Sequence, residues 1–383
     1  MRYLLLLSML TVLASCKQPK ELSTFTYNWD ALADQIIKQA DLQPGERILL
    51  IAQPGTFDLL IPLLKARIMA AQSEFLGAMS TDSISQPVDW QTEFTKGAIG
   101  KNPNELSNYF EEVDLGIMLP GAAPIHVPYA ALQEVLRRGK GRTIHFHWAG
   151  AYDLSGTPLE VTDSISSYYQ RVLLQTDYPL LTRIQSEFEV AARKDTIHVT
   201  TPEGTDIHFF IGDRPVTKQD GDASNAHMAT ARNLVDREIE LPAGAIRVAP
   251  IEESVFGEIA FPNAMWNGQP VEGLIVTFDA GKIINMTASK GLEAVQAELK
   301  KAGEAGNYFR EFAMGFNPLL SIPNQDPWIP YYGYGAGIVR LSLGDNSELG
   351  GKVTGGYVRW NFFTNATVVI GEDTWVENGK LIK

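Results

Sequence analysis

The sequence predicts two units: an α/β unit built on a parallel sheet with flanking helices, followed by an α+β unit that is mainly antiparallel. Three observations predict this. Residues 27–193 alternate short apolar runs with helical stretches, the pattern of βαβ units. Residues 194–383 read instead as short strands separated by turn residues, with one clear helix. A chain of 383 residues with 45 % hydrophobic content is also longer than one core usually accommodates.

In the first unit the strands are the apolar runs 47–52, 75–79, 113–119 and 143–148, and apolar residues at helical spacing cover 57–71 and 129–138, the second stopped by Gly139. In the second unit, 196–201 and 205–211 flank Pro202-Glu203-Gly204, and 275–278 and 282–286 flank Asp279-Ala280-Gly281. Residues 367–370 and 381–382 bracket a hairpin around Glu377-Asn378-Gly379, whose Asn-Gly pair suits a type I′ turn. The helix over 290–302 sets Leu292, Val295 and Leu299 on one face and ends at Gly303.

The start of the chain points to the cell envelope. Arg2 precedes an apolar run over 4–14, too short to span a bilayer, and Leu13-Ala14-Ser15-Cys16 resembles the lipobox of bacterial lipoprotein signals. The expectation is a signal over 1–16, acylation of Cys16, a polar tether over 17–26, and a body held by its lipid anchor. Lys17 does not read as an inner-membrane retention signal, which leans toward the periplasmic face of a bacterial outer membrane. Cys16 is the single cysteine, so its acylation leaves no thiol for a disulfide, a metal or a nucleophile. A net charge of -13 disfavours a nucleic-acid partner and requires any anion site to be a local basic pocket.

Common catalytic signatures are missing. The first strand runs into Gln53-Pro54-Gly55-Thr56-Phe57, with one glycine where a dinucleotide fingerprint needs three, and no phosphate loop, G-x-S-x-G or H-E-x-x-H motif occurs. His145 and His147 flank Phe146 on one side of a strand, a geometry that can hold a metal, although no carboxylate is near them in sequence. His198 and His208 sit on the two arms of a hairpin and read as surface decoration.

Charged residues inside apolar strands are the stronger signal. Alternation puts Arg340 and Ser342 on one face of their strand, and Tyr357, Arg359, Asn361 and Phe363 on one face of another. Glu311 precedes the apolar Phe312-Ala313-Met314. Arginine and glutamate are seldom buried unless paired.

These segments resemble the M29 family of metallo-aminopeptidases, of the aminopeptidase T and S type. The matching text is IHVTTPEGTDIHFFI at 197–211, LPAGAIRVAPIEESVFG at 241–257, ASKGLEAVQAEL at 288–299, EFAMGFNP at 311–318, RLSLG at 340–344 and YVRWNF at 357–362, and LQPGERILLI and VDLGIMLPG resemble the family's N-terminal domain. The resemblance implies an M29 aminopeptidase-like fold, a homodimer, and two divalent metals, zinc or cobalt, held by two glutamates, a histidine and an H-x-D pair. Carried over position by position, the first glutamate falls on Ala245, the second on Glu311, the histidine on Arg340, and the H-x-D pair on Arg359 and Asn361. The family's catalytic tyrosine falls within 344–348, which contains none.

A guanidinium stays protonated and has no lone pair for a metal, and alanine offers no donor at all. No metal and no cofactor is therefore expected, and of the ligand positions only Glu311 is retained. The replacements conserve formal charge: Arg340 and Arg359 against Glu311 give the same balance as two divalent cations against three carboxylates. Arg247, two residues beyond Ala245, lies on the same strand face. Three readings follow. In the first and preferred one, a metal-free cleft binds a small anionic or peptide ligand through Arg340, Arg359 and Arg247, with Glu311 and Asn361 beside them. In the second, the arginines and Glu311 close on one another and the protein is a non-catalytic scaffold. In the third, hydrolysis survives through a relocated metal at His145 and His147 or without metal.

Overall fold

Asn28 starts the first helix by accepting from Ala31 N with its side chain, and α1 (Trp29–Ala40) buries Leu32, Ala33 and Ile36. Then follow β1 (Arg47–Ala52), α2 (Leu60–Ala70), β2 (Glu74–Ser80), α3 (Glu93–Ala98), α4 (Pro103–Tyr109), β3 (Leu115–Met118), α5 (Val127–Arg137), β4 (Arg142–Phe146), α6 (Asp163–Gln175) and α7 (Tyr178–Ala192). The computed structural model describes residues 25–81 and 86–383. The expected signal, Cys16 and most of the tether lie outside the described residues.

The strands β2-β1-β3-β4 pair in parallel. The central strands β1 and β3 are apolar on both faces because both faces are covered. Ile48, Leu50 and Ala52 of β1 pack with Ile36, Leu60 and Leu64 of the first two helices, whereas Leu49 and Ile51 pack with Leu106, Leu132 and Val135 of α4 and α5.

The second unit runs β5 (Ile197–Thr200), β6 (Asp206–Phe209), β7 (Thr217–Gln219), α8 (Asn225–Met228), β8 (Glu238–Leu241), β9 (Ala245–Val248), β10 (Phe256–Ala260), β11 (Ala264–Trp266), β12 (Gln269–Val271), β13 (Ile275–Asp279) and β14 (Lys282–Thr287). It ends with α9 (Leu292–Ala302), β15 (Phe309–Gly315), β16 (Val339–Gly344), β17 (Val358–Phe363), β18 (Thr367–Ile370), β19 (Asp373–Glu377) and β20 (Lys380–Leu381). Apart from β8 and the two-stranded β11-β12 ribbon, these strands form an eight-stranded sheet, β14-β13-β10-β6-β5-β18-β19-β20, and a five-stranded sheet, β17-β16-β15-β9-β7, whose neighbours pair antiparallel.

Two features differ from the sequence expectation. The expected pairing of 367–370 with 381–382 is replaced by β18 on β19 and β19 on β20, because Trp375 and Val376 make a buried strand of a segment that opens on polar residues. The Asn-Gly turn joins β19 to β20, with φ of 47° at Asn378 and 76° at Gly379, as a type I′ turn requires. The second feature is β8, which lies beyond residue 193 yet pairs in parallel with β4 in the first sheet. From Leu241 the chain passes directly to the five-stranded sheet and starts β9 at Ala245. One stretch thus stitches the two sheets together, and the charged residues gather where it crosses.

Candidate functional site

Antiparallel register builds the first half of the site. Ala313 of β15 pairs with Arg340 on one side and Arg247 on the other, so both guanidinium groups rise from the same sheet face as Glu311, two residues before Ala313. Glu311 is 0 % exposed, Arg340 2 % and Arg247 7 %. Arg340 donates to Glu311 Oε1 through Nη2 at 2.7 Å and Nε at 3.1 Å, and its Nη1 donates to the Tyr332 carbonyl at 3.2 Å. Its guanidinium lies 4.6 Å above the Trp360 ring. Arg247 Nη2 donates to Glu311 Oε2 at 3.0 Å and to Glu348 Oε1 at 3.1 Å.

Arg310 completes the cluster through an irregularity. Strict alternation would turn it away from Glu311, but the register shifts between Phe309 and Glu311, and Arg310 Nε sits 3.2 Å from Glu311 Oε2 while its Nη2 reaches Glu348. Burial alone would push the Glu311 carboxyl up; Arg247, Arg340 and Arg310 outweigh it and hold the group far below the usual carboxylate range.

The other half comes from the paired strands β4 and β8. His145 is buried, with Tyr129 Oη 3.0 Å from Nδ1 and Thr143 Oγ1 3.0 Å from Nε2. Its ring centroid is 5.3 Å from that of His147, and burial lowers the pKa of both imidazoles. Thr143 pairs with Glu238 and His145 with Glu240, so two carboxylates stand beside the two histidines. Gln133 Nε2 donates to Glu238 Oε1 at 2.8 Å. Burial, reinforced by Glu348 and Glu240, pushes Glu238 up to about 7 despite the Gln133 bond and Arg247. The Glu240 carboxylate faces Tyr334, and among the described residues its buried Oε2 has no hydrogen-bond partner of standard geometry.

A cavity of 570 Å³ opens onto this junction, with Pro124, Gln133 and Arg137 from the first unit facing Arg310, Asp345 and Glu348 from the second. Glu348 is the hinge between inside and outside: its side chain is 42 % exposed, yet it bonds both Arg247 and Arg310.

Arg359 and Asn361 do not belong to this cluster, a correction to the expected set. Leu343 pairs with Arg359, Leu341 with Asn361, and Arg340 with Phe362, so the two residues occupy the face opposite to Arg340. Alternation was correct within each strand; the register between strands, which the sequence does not display, put them on different sides. Arg359 instead donates to Glu298 Oε1 at 2.8 Å, to the Met265 carbonyl at 3.0 Å and to Asn361 Oδ1 at 3.3 Å, stacked 3.4 Å from the Trp266 ring centroid.

The metal pair implied by the resemblance does not fit these residues. Ala245 provides no donor, both Glu311 oxygens are taken by guanidinium groups, and Arg359 and Asn361 face elsewhere. The histidine alternative fails for another reason: both nitrogens of His145 are engaged by Tyr129 and Thr143. Among the described residues no group of three or more His, Cys, Asp or Glu is placed to hold a metal ion. Sequence reasoning missed Arg310, Glu238, Glu240 and Glu348. The alternating acids of Glu238-Ile239-Glu240-Leu241, set in an apolar strand, were a usable signal.

Comparison with known proteins agrees with the resemblance. The thermophilic metalloprotease (M29) family profile matches residues 187–324. Among solved structures, wild-type AmpT from Thermus thermophilus superposes with a TM-score of 0.57 at 14 % identity, covering 93 % of this chain and 99 % of that one. The 2,5-dihydroxypyridine dioxygenase from Pseudomonas putida KT2440 superposes with a TM-score of 0.61 at 13 % identity, covering 92 % and 96 %. Among curated proteins nothing matches. The fold is M29 aminopeptidase-like, with a parallel sheet first and antiparallel sheets after it.

Proposed function

We propose that this chain is a non-catalytic cell-envelope lipoprotein of M29 aminopeptidase-like fold. In it, guanidinium groups take the place of metal cations around Glu311 and tie β9, β15 and β16 of the five-stranded sheet to one another. The observation that carries the reading is the enclosure of Glu311: the carboxylate is fully buried and both its oxygens are engaged by Arg247, Arg310 and Arg340. A carboxylate so engaged is not free to ligate a metal, and its neighbours are cations that repel one. The protein then acts through its surface, presented at the membrane by acylated Cys16.

The test is metal analysis of the purified full chain together with hydrolysis of aminoacyl arylamides in the presence of added zinc or cobalt. Substoichiometric metal and no hydrolysis are expected; stoichiometric metal with chelator-sensitive hydrolysis would sink the reading. Anchoring is tested separately, by palmitate incorporation and outer-membrane fractionation, both lost in Cys16→Ala. Sedimentation tests the homodimer that the resemblance implies.

A second reading, an anionic ligand in the 570 Å³ cavity, draws on Glu348. Its half-exposed carboxylate bridges Arg247 and Arg310, and a ligand carboxylate or phosphate entering from solvent can take its place. Titrating acetate and inorganic phosphate into the wild type and Glu348→Gln distinguishes the two. Binding that tightens in the variant supports the ligand reading, and no heat in either leaves the closed cluster alone.

A further inference from the structure

Among the described residues the strand β17 is the edge of the five-stranded sheet and pairs only with β16. Asp345 N donates to the Tyr357 carbonyl at 2.7 Å, and Gly344 lies opposite Val358, which makes Gly344 and Val358 a wide pair of the antiparallel ladder. From there every second residue turns its backbone N–H and C=O away from β16. Those residues are Val358, Trp360 and Phe362.

A groove follows this open edge. One cavity of 270 Å³ runs along Arg359–Phe362 between the loop carrying Leu154 and Ser155 and the segment carrying Pro262 and Met265. A second, of 430 Å³, shares Leu154, Ser155, Pro262 and Phe362 with the first and continues past Phe363 to Asn365 and Glu203. Leu154 is 48 % exposed and Met265 50 %, so the rims offer apolar contact. The groove therefore spans a whole strand, about 20 Å at ~3.3 Å per residue.

Charge gives it a direction. At one end Arg359, whose Nη1 donates to Glu298 and Nη2 to the Met265 carbonyl with the Tyr357 hydroxyl beside it, presents its guanidinium to the first cavity. At the other end stands the exposed Glu203. A strand added antiparallel to β17 would bring its amino end to Glu203 and its carboxyl end to Arg359.

We propose that this groove binds an extended peptide segment of a partner protein, added antiparallel to β17. Apolar side chains of the segment pack on Leu154 and Met265, and a carboxylate at its carboxyl end meets Arg359. The inference goes beyond the closed cluster and does not depend on it, because Arg359 lies on the opposite sheet face from Arg340.

The test selects phage-displayed random heptapeptides on the mature chain and measures synthetic copies of the enriched sequence by fluorescence anisotropy. N-methylation at alternate peptide residues is expected to weaken binding about tenfold or more, while methylation at the intervening residues changes little. The Leu154→Glu/Met265→Glu double variant is expected to lose about tenfold or more in affinity with an unchanged melting temperature, since both side chains are half-exposed. Failure to enrich any peptide, or binding indifferent to the methylation pattern and to the double variant, would overturn the proposal. So would a homodimer that Val358→Pro dissociates, which would assign the edge to a second copy of the chain.

Discussion

Glu311 and Glu238 are both buried carboxylates at the junction of the two sheets, yet their surroundings are opposite. Glu311 has three guanidinium groups around it, which hold its carboxyl far below the usual carboxylate range. Glu238 has a glutamine, a neutral histidine and two further carboxylates near it, and burial pushes it up to about 7. Both are fixed by strands, so neither can move toward a better partner. At equal depth, a buried carboxylate therefore takes its character from the cations its register neighbours supply.

The largest effect should come from emptying the cation-rich side. Glu311→Ala leaves three buried guanidinium groups close together with only the half-exposed Glu348 to pair two of them, and a loss of about 3–5 kcal/mol is expected in urea unfolding. Replacing Glu311 and Arg340 together by apolar residues of similar volume should cost less than Glu311→Ala alone. A double replacement that costs more than the single would show that the cluster is not an ion-pair lock.

The acid-rich side should respond to pH with the opposite sign. Glu238 binds its proton more tightly folded than unfolded, so its contribution is greatest at low pH and is lost as pH rises from about 4.5 to about 7. The full span is about 3 kcal/mol at most. Glu311, with a depressed pKa, contributes stability that is lost only as pH falls below the ordinary carboxylate range. Glu238→Gln is expected to remove the decline between about pH 4.5 and 7 and leave the acid limb in place. An unchanged profile would mean that Glu238 is ionised throughout.

The smallest effect belongs to Arg359, whose side chain is 16 % exposed and whose partners are Glu298 and the Trp266 ring. Arg359→Ala should cost about 1 kcal/mol. Combined with Arg340→Ala it should be additive, since the two lie on opposite faces of one sheet. A coupling energy above about 0.5 kcal/mol would reopen the idea of one pocket holding both.

Much of the fold was legible before any coordinates. The βαβ alternation, the type I′ turn at Asn378-Gly379 and the helix ending at Gly303 rest on local periodicity and backbone preference, which a linear text carries in full. The site was legible only in part. Arg340 and Glu311 stood out as charges in apolar strands, Arg247 followed from its place two residues beyond Ala245, and the three do meet. Arg359 stood out equally and does not join them, because a one-residue difference in register decides which face a side chain takes. Arg310 joins through a register shift that no periodicity announces.

The chain's own letters were enough for the M29-like likeness, and residue chemistry, which does not depend on folding, was enough for the expectation that Ala245, Arg340, Arg359 and Asn361 make poor metal ligands. Tertiary structure alone decided which charges meet. The crossing from β8 to β9 brings Glu238 and Glu240 within electrostatic reach of Arg247. Coulomb energy depends on distance and burial, and both are set by the packing of segments far apart in sequence.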